Sequence, residues 1–167
     1  MLTRGPTQRG FTLVELMVTL ALMGVTLAFA VPAFGQLSAN YRVRAAGESL
    51  LSALHLARAE AVRRNAPVTF TLVGTRAGWS VTDGAGTVIR SRSDSDKATL
   101  AVAASNAASS VTFLPTGLVA TTGTRISQLS VTSSYVGTDS RRLDVMGGGL
   151  IRLCSPQVSA ANDLRRC

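Results

Sequence analysis

The amino-acid sequence predicts an α+β fold, in which one long N-terminal helix packs on an antiparallel β domain. Two observations lead to this class. An apolar run covers residues 11–34, and a proline-free amphipathic stretch follows it at 41–64. After residue 66 the composition changes to Gly, Ser, Thr and Val, with short alternating runs between turn residues. At 167 residues the chain can form one domain with its own core and an additional N-terminal segment.

The apolar run has the length and composition of a transmembrane half of this helix. Residues 11–34 contain one charged side chain, Glu15, and a helix of ~17–25 such residues spans a bilayer. Basic residues in the leader, 1–10, predict that the leader lies in the cytoplasm and the remainder outside. An uncleaved signal anchor predicts the same topology, so both alternatives stay open at this point. Glu15 is unexpected, because an unpaired charge in hydrocarbon costs ~2.5 kcal/mol or more.

Residues 35–66 are predicted to form the amphipathic half of the same helix. Their apolar side chains share one stripe at helical spacing, while charged side chains take most of the remaining surface. The stripe consists of Val43, Ala46, Leu50, Leu54, Ala57 and Ala61. Asn65-Ala66-Pro67 predicts the end of the helix, because the residue before proline disfavours helical geometry. His55 lies within this half, and a lone helical histidine with no acid or cysteine placed nearby is more often structural than catalytic.

Residues 67–167 are predicted to form a C-terminal β-rich globular domain. Alternating apolar and polar residues predict the strands, and Asp83-Gly-Ala-Gly86 predicts a hairpin turn. The expected strands are 68–73, 79–82, 87–92, 110–114, 125–133, 141–146 and 150–154, with a further strand near 99–102 inside a predicted loop over 93–109.

The two cysteines, Cys154 and Cys167, predict a disulfide rather than a metal site. Neither belongs to a CxxC or other metal-like spacing, and the single histidine is distant in sequence. Outside the cytoplasm the two thiols are expected to pair, and a loop of this size is worth ~3 kcal/mol in the chain-entropy model. No metal and no cofactor are expected. Catalysis is not expected either, because the sequence lacks a nucleophile elbow, paired carboxylates and a phosphate-cradling loop.

The chain is basic, with a formal net charge of +8. Nearly all of this charge lies in residues 35–167, which is consistent with an acidic partner such as nucleic acid, anionic lipid or acidic polysaccharide. Charge alone does not choose among these partners. Almost all of the basic residues are arginine, so a bias in base composition explains the charge equally well.

The string Gly10-Phe-Thr-Leu-Val-Glu15 resembles the N-terminal motif of the type IV pilins and their pseudopilin relatives. In that superfamily a dedicated prepilin peptidase cuts after the glycine and methylates the new N-terminus. The resemblance therefore implies cleavage after Gly10 and methylation of Phe11. It also implies an assembly role for Glu15, whose carboxylate pairs with the N-terminal amine of a neighbouring subunit. Two buried charges that neutralise each other cost far less than one.

Further stretches are similar to the FimT/GspH branch of this superfamily. They follow the order of that branch and extend the likeness over nearly the whole chain: "ARAEAVRRNAPVTF" (57–70), "GWSV" (78–81), "VTFLPTGLV" (111–119) and "RRLDVMGGGLIRLC" (141–154). The resemblance implies the type IV pilin fold and a single-pass subunit of the inner membrane of a Gram-negative bacterium, with a periplasmic domain. It also implies later incorporation, with major and minor pilins as partners, in a filament that reaches the cell surface.

FimT-like minor pilins contact DNA through a Gly-Arg-x-Arg motif in the final hairpin. This chain has Gly149-Leu-Ile-Arg152, so Arg152 matches the second arginine and Leu150 replaces the first. Four other arginines near this hairpin in sequence are expected to compensate: Arg141, Arg142, Arg165 and Arg166. The resemblance implies sequence-independent phosphate contacts with extracellular DNA during natural transformation. The alternatives are a solvated face or pilin contacts, in a purely structural minor pilin or a GspH-type pseudopilin of a type II secretion system.

Overall fold

The computed structural model describes residues 10–93 and 99–167, so residues 1–9 of the predicted leader and 94–98 of the predicted loop lie outside it. Helix α1, Leu13–Arg64, is followed by strands only, which confirms the α+β class. The chain divides between Gly35 and Gln36 into two compact units.

The N-terminal unit contains the first part of α1, and its large apolar side chains are exposed. The helix is long and apolar enough to cross a membrane. Thr19 and Thr26 lie within this part of the helix. Each hydroxyl donates a hydrogen bond to the carbonyl three residues earlier at 2.9 Å, so both have a partner within the helix. An apolar helix without protein around it needs lipid or other apolar helices as its surroundings.

In the C-terminal unit, α1 buries the predicted stripe. All six of its residues are at most 2% exposed, which confirms the amphipathic reading. The helix ends at Arg64 because Asn65 turns into the left-handed region at φ 49° and the N–H of Ala66 donates to the carbonyl of Ala61 at 3.3 Å. Pro67 then prevents further helical hydrogen bonding.

Glu60 links the last turn of α1 through two ion pairs. Its carboxylate lies 2.6 Å from Arg63 Nη2 and 2.7 Å from Arg64 Nε. Hydrogen bonds from Arg63 and Arg64 lower the pKa of Glu60 from 4.5 to about 2. The carboxylate therefore stays charged in all but strongly acidic solution.

Eight strands follow in the described residues: β1 Val68–Val73, β2 Gly78–Asp83, β3 Val88–Arg92, β4 Leu100–Ala104, β5 Ser110–Phe113, β6 Gln128–Ser133, β7 Arg141–Val145 and β8 Ile151–Cys154. They form two antiparallel sheets. The first sheet has the order β3-β2-β1-β5 and the second has the order β4-β6-β7-β8. The turn between β2 and β3 forms at the predicted hairpin, where the Asp83 carboxylate accepts the N–H groups of Ala85 and Thr87 at 3.0 and 2.8 Å.

The predicted strands agree with the observed ones, apart from shifted ends. The largest shift is at β6, which was expected to begin at residue 125 and begins at Gln128. Residues 125–127 instead join the two sheets, because the N–H of Ile126 donates to Ser110 of the first sheet and the carbonyl of Ser127 accepts from Val145 of the second. The strand predicted near 99–102 is β4, at the edge of the second sheet.

The core lies between the stripe of α1 and one face of each sheet. Its largest buried side chains include Phe70 and Phe113 of the first sheet and Leu129 and Leu143 of the second. Because side chains alternate along a strand, the opposite face of the second sheet carries the polar neighbours of Leu143. We call this opposite face the outer face of the second sheet.

Candidate functional site

The predicted processing site lies ahead of the first helical turn. Gly10 and Phe11 are exposed, and α1 begins only at Leu13. Among residues 10–93 and 99–167, apart from its chain neighbour, no atom lies within 4 Å of where a Cβ on Gly10 would stand. The Gly10–Phe11 bond is therefore outside regular structure and is not covered by the described part of the chain, as a proteolytic site requires.

Thr12 belongs to this site and was missed in the sequence analysis. The N–H of Glu15 donates to Thr12 Oγ1 at 3.2 Å, which caps the first turn of α1. The Thr-x-x-Glu spacing is the signature of a capping box and could have identified this cap. Glu15 thereby has a fixed position in the first turn, at the same end of the helix as Phe11.

The second predicted site consists of the β7–β8 hairpin and the segment after it. The disulfide between Cys154 and Cys167 is present, with a Cα–Cα distance of 5.1 Å, and it closes the segment into a loop. The N–H of Ser155 also donates to the carbonyl of Arg165 at 2.7 Å. We call residues 155–167 the tail; these bonds hold its end beside β8.

The structure separates the two neighbouring arginines of β7. Arg142 pairs with Cys154 across the ladder and lies on the outer face of the second sheet, together with Arg152. Arg141 points to α1, because its Cβ lies 3.5 Å from where a Cβ on Gly47 would stand. Arg141 is therefore not part of one cluster with the other four predicted arginines.

Two of the predicted arginines, one in β7 and one in the tail, are held in ion pairs. Arg142 Nη2 donates to Asp144 Oδ2 at 3.1 Å, and its Nε lies 3.0 Å from Oδ1 without the alignment of a second hydrogen bond. Arg165 Nη2 lies 2.7 Å from Asp163 Oδ2. Hydrogen bonds from the side chain and backbone of Arg165 lower the pKa of Asp163 from 3.8 to about 2. Both pairs reduce the charge that these arginines present to a ligand.

Arg152 and Arg166 are exposed, and neither forms an ion pair with a carboxylate within residues 10–93 and 99–167. The guanidinium of Arg152 donates to the backbone carbonyl of Arg166, which fixes the two residues next to each other. Both line a cavity of about 360 Å³, whose other walls are Ala161, Asn162, Asp163, Leu164 and Cys167. The tail thus places the cationic side chain of Arg166 next to Arg152, the arginine of Gly149-Leu-Ile-Arg152.

Gly149 lies in a packed turn. Its φ is +78°, and a Cβ there would stand 2.0 Å from the carbonyl oxygen of Gly117. That carbonyl accepts a hydrogen bond from Arg58 Nε at 3.1 Å, so the turn contacts α1 and the segment after β5 together. The structure therefore gives Gly149 a packing role, and the neighbouring Leu150 is 56% exposed.

Two arginines near this turn were not identified from the sequence. Arg58 contacts it as described, and Arg125 Nη2 lies 3.8 Å from where a Cβ on Gly147 would stand. They come from α1 and from the segment before β6, so no local sequence pattern connects them with the hairpin.

Two family profiles and two solved structures are similar to this chain. The profile of the family described as type II transport protein GspH matches residues 46–149, and that of the prokaryotic N-terminal methylation motif matches 6–31. The type IV minor pilin FimU of Pseudomonas aeruginosa is similar with a TM-score of 0.55 and 21% identity, over 71% of this chain and 95% of FimU. The minor pseudopilin EpsH from the type 2 secretion system of Vibrio cholerae has a TM-score of 0.51 and 16% identity, over 70% of this chain and 99% of EpsH.

Proposed function

Because the chain belongs to the GspH family and carries the N-terminal methylation motif, it is a minor pilin or pseudopilin, and we propose that it acts in a type IV pilus that captures DNA. In this proposal prepilin peptidase cuts after Gly10 and methylates Phe11. Residues 11–34 anchor the subunit in the inner membrane, with the C-terminal unit in the periplasm. The subunit then joins or primes the filament as a structural component rather than an enzyme.

Assembly proceeds through Glu15. Thr12 Oγ1 accepts the backbone N–H of Glu15 and so fixes this residue in the first turn of α1. Its carboxylate pairs with the cationic amine that the neighbouring subunit supplies from its own Phe11. In the apolar interior of a filament, a carboxylate paired with an amine costs far less than an isolated charge. The anchor therefore leaves the bilayer more readily beside another subunit than alone.

DNA contact is assigned to Arg152 and Arg166. The observation that carries this assignment is their position, next to each other on an exposed surface and without a carboxylate partner in the described chain. Guanidinium groups bind phosphate oxygens without reading bases. Arg142 and Arg165 lie nearby, but their ion pairs with Asp144 and Asp163 make them weaker contributors.

Duplex binding by the intact mature chain in lipid nanodiscs tests this assignment. Affinity should fall as salt rises, and each neutralised phosphate contributes about 0.9 to the slope of log affinity against log salt. Replacing Arg152 and Arg166 together by Gln should therefore reduce the slope by about 1.8. As salt rises from 50 to 200 mM, the affinity of the unmodified chain should therefore fall about twelvefold more than that of the variant. Fluorescence anisotropy measures a difference of this size readily.

The matched control is the double variant Arg76→Gln, Arg90→Gln. It removes the same charge from exposed positions in the β1–β2 turn and in β3 of the first sheet. The control should keep the salt slope of the unmodified chain. Equal losses in the two double variants would mean that net charge, not this surface, attracts DNA.

The alternative is a minor pilin or type II secretion pseudopilin without DNA contact. Leu150 favours it, because an exposed apolar side chain occupies the place of the first arginine of the DNA-binding motif. Under this alternative the folded chain shows no salt-sensitive DNA binding, while Glu15→Ala still impairs its incorporation in filaments.

A further inference from the structure

The loop between β6 and β7, residues 134–140, is fastened to the first turns of α1 in the C-terminal unit. Gln36 Nε2 donates to the carbonyl of Gly137 at 2.6 Å, and the N–H of Asp139 donates to Asn40 Oδ1 at 2.9 Å. These two bonds fix the position of the loop along the helix, although it is about a hundred residues away in sequence.

The loop is bonded to the residue with which the C-terminal unit begins, Gln36. From Asp139 to Gly137 the chain moves from the level of Asn40 to that of Gln36, which is ~6 Å along a helix. Val136 is the next residue of the loop and is almost fully exposed. Gln36 follows Phe34 by two residues, a chain length of at most ~7 Å. The headgroup zone on one side of a bilayer is about 5–8 Å thick, so by chain length alone Gln36 is within reach of this zone when residues 11–34 span the membrane. The loop is bonded directly to Gln36 and is therefore available to the same zone.

The side chains here suit that zone. Four apolar or aromatic residues are exposed, and we call them the juxtamembrane surface: Leu37 at 50%, Tyr41 at 63%, Tyr135 at 39% and Val136 at 90%. Tyrosines are enriched where bilayer and water meet. A cavity of about 230 Å³ beside Leu37 and Tyr41 is also lined by Asp139, Arg44 and Arg141. Arg44 is ion-paired with Glu48 at 2.9 Å, so Arg141 is the stronger candidate to face anionic headgroups.

We propose that the juxtamembrane surface rests on the outer leaflet of the inner membrane and binds lipid headgroups, so that the anchored subunit contacts the bilayer through its β6–β7 loop as well as its helix. The argument for lipid as the occupant is continuity, because this surface begins within a few residues of the apolar run. The inference rests on the membrane anchoring proposed above. It assigns Arg141 to the membrane rather than to DNA, in agreement with its separation from Arg152.

Site-directed spin labelling of the full mature chain in vesicles tests this proposal. The two native cysteines are bonded to each other, so a single introduced cysteine is a unique labelling site. Nitroxides are placed by Val136→Cys, by Val25→Cys in the middle of the apolar run and by Leu150→Cys near Arg58. The vesicles contain phosphatidylcholine with three parts in ten phosphatidylglycerol, and collision with oxygen is compared with collision with a water-soluble nickel chelate.

The label at position 136 should be more strongly shielded from the nickel chelate than the label at position 150. Position 150 lies near Arg58, which is ~27 Å further along α1 than Asn40. Shielding should weaken in pure phosphatidylcholine and in the variant Arg44→Gln, Arg141→Gln. Equal chelate access at 136 and 150, with the label at 25 still in hydrocarbon, overturns the proposal and leaves the anchor intact. Chelate access at 25 as well would refute the anchoring itself.

Discussion

Replacing Gly149 by alanine is expected to destabilise the C-terminal unit by roughly 2.5–5 kcal/mol, the sum of two costs. A residue with a Cβ at φ +78° is in the left-handed region, which costs about 1–2 kcal/mol. The new Cβ would also stand 2.0 Å from the carbonyl oxygen of Gly117, so that this group must move. Its hydrogen bond from the charged Arg58 is then lost, and such bonds contribute about 1.5–3 kcal/mol.

Thermal unfolding measured by tryptophan fluorescence gives the result directly, because Trp79 is the only tryptophan and lies in the core of this unit. For a unit of this size the Tm should fall by about 10 °C or more. Gly148→Ala is the matched control in the same turn, since no atom lies within 4 Å of its added Cβ. It should change stability by less than about 0.5 kcal/mol. Equal Tm values for the two variants would refute the clash with Gly117.

Three further predictions concern assembly, the tail and acid stability. Glu15→Ala should keep the subunit in membranes but reduce its fraction in sheared filaments, and a normal filament fraction would contradict the pairing role. Cys167→Ser should lower stability by ~3 kcal/mol in denaturant titration, whereas a midpoint unchanged from the oxidised chain would exclude a stabilising disulfide. Because the pKa of Glu60 is lowered from 4.5 to about 2, its stabilising effect is complete above pH 4.5 and is lost as the pH falls through 2. Glu60→Gln should flatten this part of the Tm profile, and an unaltered profile would count against the ion pairs.

Local patterns predicted most of the fold. The stripe of α1, the end of the helix before Pro67 and the Asp83 turn each depend on side chains a few residues apart, and such patterns can be recognised in one sequence. The predicted start of β6 was wrong because it depends on contacts between residues far apart in sequence. Ile126 alternates like a strand residue, but its N–H donates to the first sheet, and only the tertiary arrangement decides that.

The candidate site was predictable only in part. The predicted pairing of Cys154 and Cys167 is present, and it brings the end of the tail with its arginines to β8. The ion pairs of Arg142 and Arg165 depend on the backbone positions of β7 and the tail. The orientation of Arg141 depends on its packing against Gly47. The number of arginines in the sequence therefore could not show which of them are available to a ligand. Arg58 and Arg125 reach the glycine turn from distant segments, which no local pattern indicates.

The internally bonded hydroxyls of Thr19 and Thr26 have a consequence for how the anchor exchanges its surroundings. Because these groups already donate to the helix itself, they need no partner from either lipid or protein. Hydrocarbon tails and neighbouring apolar helices are then nearly equivalent solvents for the rest of the span. On the proposed function, transfer of this helix between bilayer and filament is therefore close to neutral along most of its length, and we propose that one ionisable residue in its first turn, Glu15, decides the direction of transfer.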